Sequence, residues 1–162
     1  MDRRGWAAVA ALTLALFLAR ERVRSFLWLF DGIDLAIHEA GHPILGIFGW
    51  RFLMMAGGTI FQLAFPIAFV VHFRRGGQPR SADACVAWTG QSLLNVGRYA
   101  ADARAQELPL VGGGEHDWTY LLEATGLLTH DIGVGRVIDF AGCALIAWAC
   151  VALWTRRVPN RA

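Results

Sequence analysis

The sequence predicts an all-α fold, a polytopic membrane helix bundle of four or five spans forming one membrane domain over residues 1–162. Three observations carry that reading. Hydrophobic residues make up 56% of the chain and charged residues 17%, below the roughly 25% charge of ordinary soluble domains. The apolar residues fall in five long runs, too long for strands. The basic residues, all of them Arg, cluster mostly as short caps on those runs rather than forming a stripe.

The first run, GWAAVAALTLALFLA at 5–19, is short for a span but long enough for a helix. Arg3 and Arg4 before it imitate the start of a secretory signal, yet its end, FLARER, lacks an A-x-A cleavage pattern, so a retained helix is expected. The second helix is expected over 26–49. The third, over 52–73, contains no Asp, Glu or Arg and meets the requirement of about 20 apolar residues for a span. A fourth, semi-polar helix is expected over 82–100 and a fifth over 132–155. Between the last two lies a polar loop, 101–131, in which Pro109 and Gly112 to Gly114 exclude a continuous helix. A short helix is expected at 117–126, with Asp117 as its N-cap and Gly126 at its end.

Arg20, Arg22 and Arg24 precede the second run, Arg74, Arg75 and Arg80 follow the third, and Arg156, Arg157 and Arg161 follow the fifth. With five spans these groups share one face, the cytoplasmic one, and the acidic 101–131 segment lies on the other. Trp6, Trp28, Trp50 and Trp154 sit near run ends, as interface anchors do. The expected setting is the inner membrane of a bacterium, with the lipid bilayer as the chief partner. A net charge of +2 without a basic stripe argues against nucleic acid. Cys85, Cys143 and Cys150 form no Cys-x-x-Cys pair and read as buried reduced thiols.

The apolar second run carries HEAGH at 38–42. Two histidines and a glutamate are costly there unless something pairs with them. On a helix, positions i and i+4 share a face, so His38 and His42 can aim both imidazoles at one ion, with Glu39 beside them. This is the H-E-x-x-H zinc signature; with five His and five Glu in the chain, chance gives it about once in two hundred such chains. Zinc is the expected cofactor, and Glu39 the expected catalytic acid/base acting on metal-bound water. The competing reading is a satisfied polar cluster in a noncatalytic membrane protein, or a metal site without protease activity.

Zinc needs a third protein ligand. His116, in GGGEHDW, is the preferred candidate, with Asp102 and Asp117 as alternatives. Asp117 has a competing capping role. Asp34, one turn before His38, can hold an imidazole proton, while Asp31 reads as solvated at the membrane edge. Asn95 belongs to a stripe of Gln91, Asn95, Arg98 and Asp102 on one helical face and can position a substrate; Gln62 reads as helix-to-helix glue. Pro43 removes the donor to the Glu39 carbonyl and tends to kink the helix. Gly57 and Gly58 can mark a broken or edge segment able to pair with an extended substrate. His72 and His130 read as structural.

A membrane-buried HEAGH helix, an uncharged helix opened by AGGT and polar residues on a later helix resemble the site-2-protease-like intramembrane zinc metallopeptidases. The sequence is more closely similar to small bacterial membrane proteins of that kind that share a GGT-x-x-Q stretch and a GGGEHDW stretch. The resemblance covers about 26 to 135. It implies that His38 and His42 bind zinc, that Glu39 is the acid/base, and that the substrate is a membrane protein or peptide. The family takes its third ligand from an Asp in an LDG motif; this chain has none, and NVGRYAADA offers Asn95 and Asp102 without a Pro between them.

Overall fold

The computed structural model describes residues 2–111 and 114–156 and, outside 28–30, their side chains. Gly112, Arg157, Arg161 and the side chain of Trp28 therefore lie outside the described residues. The fold is all-α, with no strand among the described residues: α1 (Arg3–Leu18), α2 (Arg20–Gly46), α3 (Arg51–Arg75), α4 (Pro79–Ala101), α5 (Asp117–Ala124), a 3-10 turn (Leu128–His130) and α6 (Asp131–Thr155).

Helix α2 begins six residues before the expected start, separated from α1 only by Ala19. The charged sequence RERVR continues the helix because its charges are answered. Arg24 is buried, donates to the Leu94 carbonyl at 3.1 Å and pairs with Asp139 of α6. Arg20 also reaches Asp139, at 3.3 Å. Such a buried pair is held by geometry and extra hydrogen bonds rather than by Coulomb attraction alone. Arg24 therefore does not join the Arg group at the far end of the bundle. Leu94 lies about 22 Å along α4 from Pro79, in the half nearer the 101–131 segment.

At that far end, Asp83 of α4 is fully buried between Arg74 of α3, at 2.6 Å, and Arg156 after α6, at 2.5 Å. Pro79 opens α4, where its missing N–H costs nothing. At the opposite end Arg104 pairs with Asp131, the first residue of α6, at 2.7 Å.

Glycines set the helix crossings. Gly41 of α2 and Gly57 of α3 meet backbone to backbone, and a Cβ on either would strike the other's carbonyl. Along the antiparallel α4–α6 pair, Gly90 meets Gly142 and Gly97 meets Gly135 in the same way. Close approach through small residues is the packing used where lipid removes any hydrophobic drive between helices. Gly57 and Gly58 thus lie inside an unbroken α3 and are covered, so they offer no edge to an extended chain. Helix α2 likewise runs through Pro43.

Among the described residues, two helices are long and apolar enough to cross a membrane: α3, with mean hydropathy 1.8, and the stretch Leu128–Thr155, with mean hydropathy 2.0. Their outward faces expose Phe65, Ile67, Phe69, Val137, Phe140 and Trp154. Large apolar side chains exposed in this number need cover. Trp6 and Trp50 are also exposed near helix ends. All three cysteines are free, but only Cys143 is buried; Cys150 faces outward and Cys85 is intermediate.

Candidate metal centre

His38 and His42 project from one face of α2, their ring centroids 5.0 Å apart. Helix α3 fixes which nitrogen of each carries the proton. Nδ1 of His42 lies 3.0 Å from the Met54 carbonyl, which can only accept, so this nitrogen is the donor. Nδ1 of His38 lies 3.1 Å from Oε1 of Gln62. The other end of that amide, Nε2, donates to the Ser92 carbonyl at 3.4 Å, which orients Oε1 toward the histidine. Gly58, one turn before Gln62, leaves the space that the His38 ring occupies, and a methyl there would overlap the imidazole.

With Nδ1 protonated in both rings, each Nε2 presents a lone pair. Both point at Asp117 of α5: its Oδ2 lies 3.0 Å from His38 Nε2 and 3.3 Å from His42 Nε2. One ligand atom from each of the three residues falls within 4.8 Å of the others. His38 and Asp117 are buried, and His42 is half-buried. Two lone pairs and a carboxylate therefore converge with no donor among them. Only protons or a cation relieve that arrangement, and two imidazoles with one carboxylate are a donor set suited to zinc. The buried His38–His42–Asp117 group can bind a metal.

Asp117 is free to do this because it does not cap its helix. The N-cap of α5 is His116, whose Nδ1 accepts from the Thr119 N–H at 3.3 Å. The Asp117 N–H donates to the Tyr99 hydroxyl at 3.2 Å. In the absence of a cation, protons on the two Nε2 atoms relieve the site: burial pushes the Asp117 carboxyl up, but hydrogen bonds from His38 and His42 in their protonated form outweigh it and hold the group below the usual carboxylate range. Helix α5 ends at Ala124, and Gly126 turns the chain in the left-handed conformation (φ 71°).

The other expected site residues fall elsewhere. The His116 ring packs at a tilt against Tyr99 with centroids 4.1 Å apart, and its Nε2 faces Asp102 Oδ2 at 3.5 Å, not the paired histidines. Burial drives its pKa down, against the pull of Asp102. Asp102 accepts the N–H groups of Glu107 and Leu108, both at 3.0 Å, and so pins the turn after α4. Asp34 accepts from the indole of Trp88 at 2.9 Å and from Asn95 at 3.2 Å; the imidazole proton that it was expected to hold goes to Gln62 instead. Asn95 also donates to Asp31 at 3.0 Å, so Asp31 is tied into the bundle rather than solvated. His72 and His130 are exposed, away from the pair.

Glu39 makes no ion pair among the described residues and faces open space. It lines both a cleft of about 470 Å³, shared with His38, and one of about 200 Å³, shared with His42 and Asp117. Tyr99, Leu110 and Val111 also line both, so the 108–111 segment runs over the junction at Glu39. Sequence reasoning missed Gln62, Gly58 and Met54 as the surroundings of the histidines. The available signal was the i, i+4 spacing of Gly58 and Gln62, the same spacing as in HEAGH.

Comparison of the chain with family models, curated proteins and solved structures finds no match. Fold and site together define an all-α protein with two helices able to cross a membrane and a buried His-His-Asp group able to take a metal.

Proposed function

We propose that the chain is a membrane-embedded zinc metallopeptidase of the bacterial inner membrane, in which α2 and α4 join α3 and α6 as spans. The observation that supports this best is the convergence of His38 Nε2, His42 Nε2 and the Asp117 carboxylate beside an unpaired Glu39 that faces two clefts. These three residues would hold zinc. Bound zinc acts as a Lewis acid and brings the pKa of a water ligand to about 7. The chain's own contribution is then positional. Gln62 and the Met54 carbonyl hold the imidazole protons away from the ion, which orients the rings and raises their basicity. Glu39 takes the proton from the attacking water and delivers it to the leaving amine. The enclosing 108–111 segment limits bulk water at the reacting centre. Asn95 serves the carboxylates of α2 rather than the ion.

The test is hydrolysis of a panel of membrane-protein and peptide substrates by detergent-purified protein, wild type beside Glu39→Gln. The expected result is cleavage by the wild type that the variant loses while keeping its zinc. Cleavage that survives in Glu39→Gln, or a wild-type protein that holds zinc but hydrolyses nothing, overturns the peptidase reading. The second outcome would leave a metal-binding membrane protein without protease activity.

A further inference from the structure

Donors are scarce around the candidate metal centre. The imidazole protons go to Gln62 and to the Met54 carbonyl. The Gln62 amide donates to the Ser92 carbonyl, and the Asn95 amide to Asp31 and Asp34. Arg98 is exposed and lines the larger cleft, but not the one shared by His42 and Asp117. Tyr99 differs from all of these. Its hydroxyl oxygen accepts the Asp117 N–H at 3.2 Å, which uses a lone pair and leaves the hydroxyl's own proton unspent. The Asp117 carboxylate is close to that proton, but it is the group that a bound ion engages. The Tyr99 ring is clamped in place: it meets the His38 ring edge-on, with centroids 5.9 Å apart, and rests at a tilt on His116. Tyr99 also lines both clefts, as Glu39 does.

We infer that Tyr99 is a catalytic donor whose hydroxyl hydrogen-bonds the carbonyl oxygen of the substrate as that oxygen takes on negative charge. The inference rests on the peptidase reading. When water attacks a peptide carbonyl, a C–O bond forms and the electron pair of the C=O double bond moves onto the oxygen. Glu39 takes the proton of the water and has none to offer that oxygen. The Tyr99 hydroxyl shares the charge by a hydrogen bond that strengthens as the charge grows. The bond weakens again when the carbonyl re-forms and the amine leaves, and the phenol keeps its proton throughout. A donor already fixed where charge develops needs no reorganisation at the moment of reaction. The same hydroxyl holds the start of α5 through the Asp117 N–H, so one group can serve both the ligand segment and the substrate.

The experiment compares wild type with Tyr99→Phe, which keeps the ring and removes only the hydroxyl. The zinc-supplied full chain in detergent is titrated calorimetrically with methylphosphonate, a tetrahedral anion that imitates the charged oxygen. Zinc affinity is read in the same samples by competition with a chelator. Tyr99→Phe should bind methylphosphonate about tenfold or more weakly, as loss of a hydrogen bond to a charged group allows, with zinc affinity unchanged. Tyr120→Phe, whose ring lies under Arg51 and lines neither cleft, should match wild type. In hydrolysis, Tyr99→Phe should lower kcat about 10²- to 10³-fold and leave KM nearly unchanged, as loss of an oxyanion donor does. Equal methylphosphonate affinity in the two proteins overturns the proposal. Loss of zinc from Tyr99→Phe also overturns it, and would confine the hydroxyl to holding α5. A zinc-loaded wild type that hydrolyses no peptide yet shows the methylphosphonate difference would sink the peptidase and leave Tyr99 as a donor to an anion held at the ion. Equal hydrolysis by wild type and Tyr99→Phe would do the reverse.

Discussion

Nε2 of His38 lies 3.0 Å from Oδ2 of Asp117, a residue 79 positions further along the chain. The contact joins a buried helix face to α5, the short α-helix in the segment between α4 and α6. It is made because His116 takes the capping role at the start of that helix and leaves the next side chain free.

Metal content should follow this contact. Wild-type protein supplied with zinc should carry about one ion per chain, as a single three-ligand site allows. His38→Ala, His42→Ala and Asp117→Ala should lose it. His116→Ala and Asp102→Ala should retain it, and elemental analysis of the purified variants would show this. Loss in His116→Ala with retention in Asp117→Ala would transfer the third ligand to His116.

Gln62 sets the proton on His38. Gln62→Leu should weaken zinc binding by about 10- to 100-fold, the usual cost of losing such a partner. Gln62→Glu keeps the acceptor and should restore much of it. Competition with a chelator would read both, and equal affinity in Gln62→Leu and wild type would refute the role.

Gly58→Ala places a methyl in the space of the His38 ring. It should lower zinc affinity more than it lowers thermal stability of the metal-free protein. Gly57→Ala, which strikes the backbone of α2 instead, should do the opposite. Paired melting curves with and without zinc separate the two.

Acid should release the metal, with a definite sign. The Asp117 carboxyl is held below the usual carboxylate range, so it stays ionised through weak acid and does not limit binding. Imidazole, titrating near about 6.5 when unperturbed, must lose its proton to bind. Affinity should therefore be full above that region and fall as pH drops through it. An affinity that stays flat down to the carboxylate range would exclude histidine ligation.

The Arg24–Asp139 pair can be separated from the site altogether. Asp139→Leu strands a buried guanidinium and should cost about 3–5 kcal/mol, whereas Arg24→Met combined with Asp139→Leu should cost much less, as paired removal of buried charges usually does. Thermal midpoints of the three proteins would decide it, and equal loss in the single and double variants would deny the pairing.

Much of this was legible in the sequence because it is local. Long apolar runs imply helices, and the i, i+4 spacing of His38 and His42 places both rings on one face whatever surrounds them. The start of α2 was not legible, since RERVR reads as a charged boundary until Asp139 and the Leu94 carbonyl are seen to answer it. Nor was the covering of Gly57, whose missing side chain looks like a break in α3 until Gly41 packs against it. Asp31 reads as an edge residue, and Asp34 as a candidate partner of His38, until α4 supplies Gln91, Asn95 and Trp88.

The sequence by itself therefore determined the helices, their apolar faces and the histidine pair, all set by periodicity over a few residues. Only the tertiary structure decided which residue meets that pair. His116 and Asp117 are neighbours, and by local preference Asp117 has the better claim to cap the helix, yet His116 is the cap. The choice falls to the approach of α2 and α3, which bring two imidazole lone pairs to the one position of the loop where a carboxylate can face both.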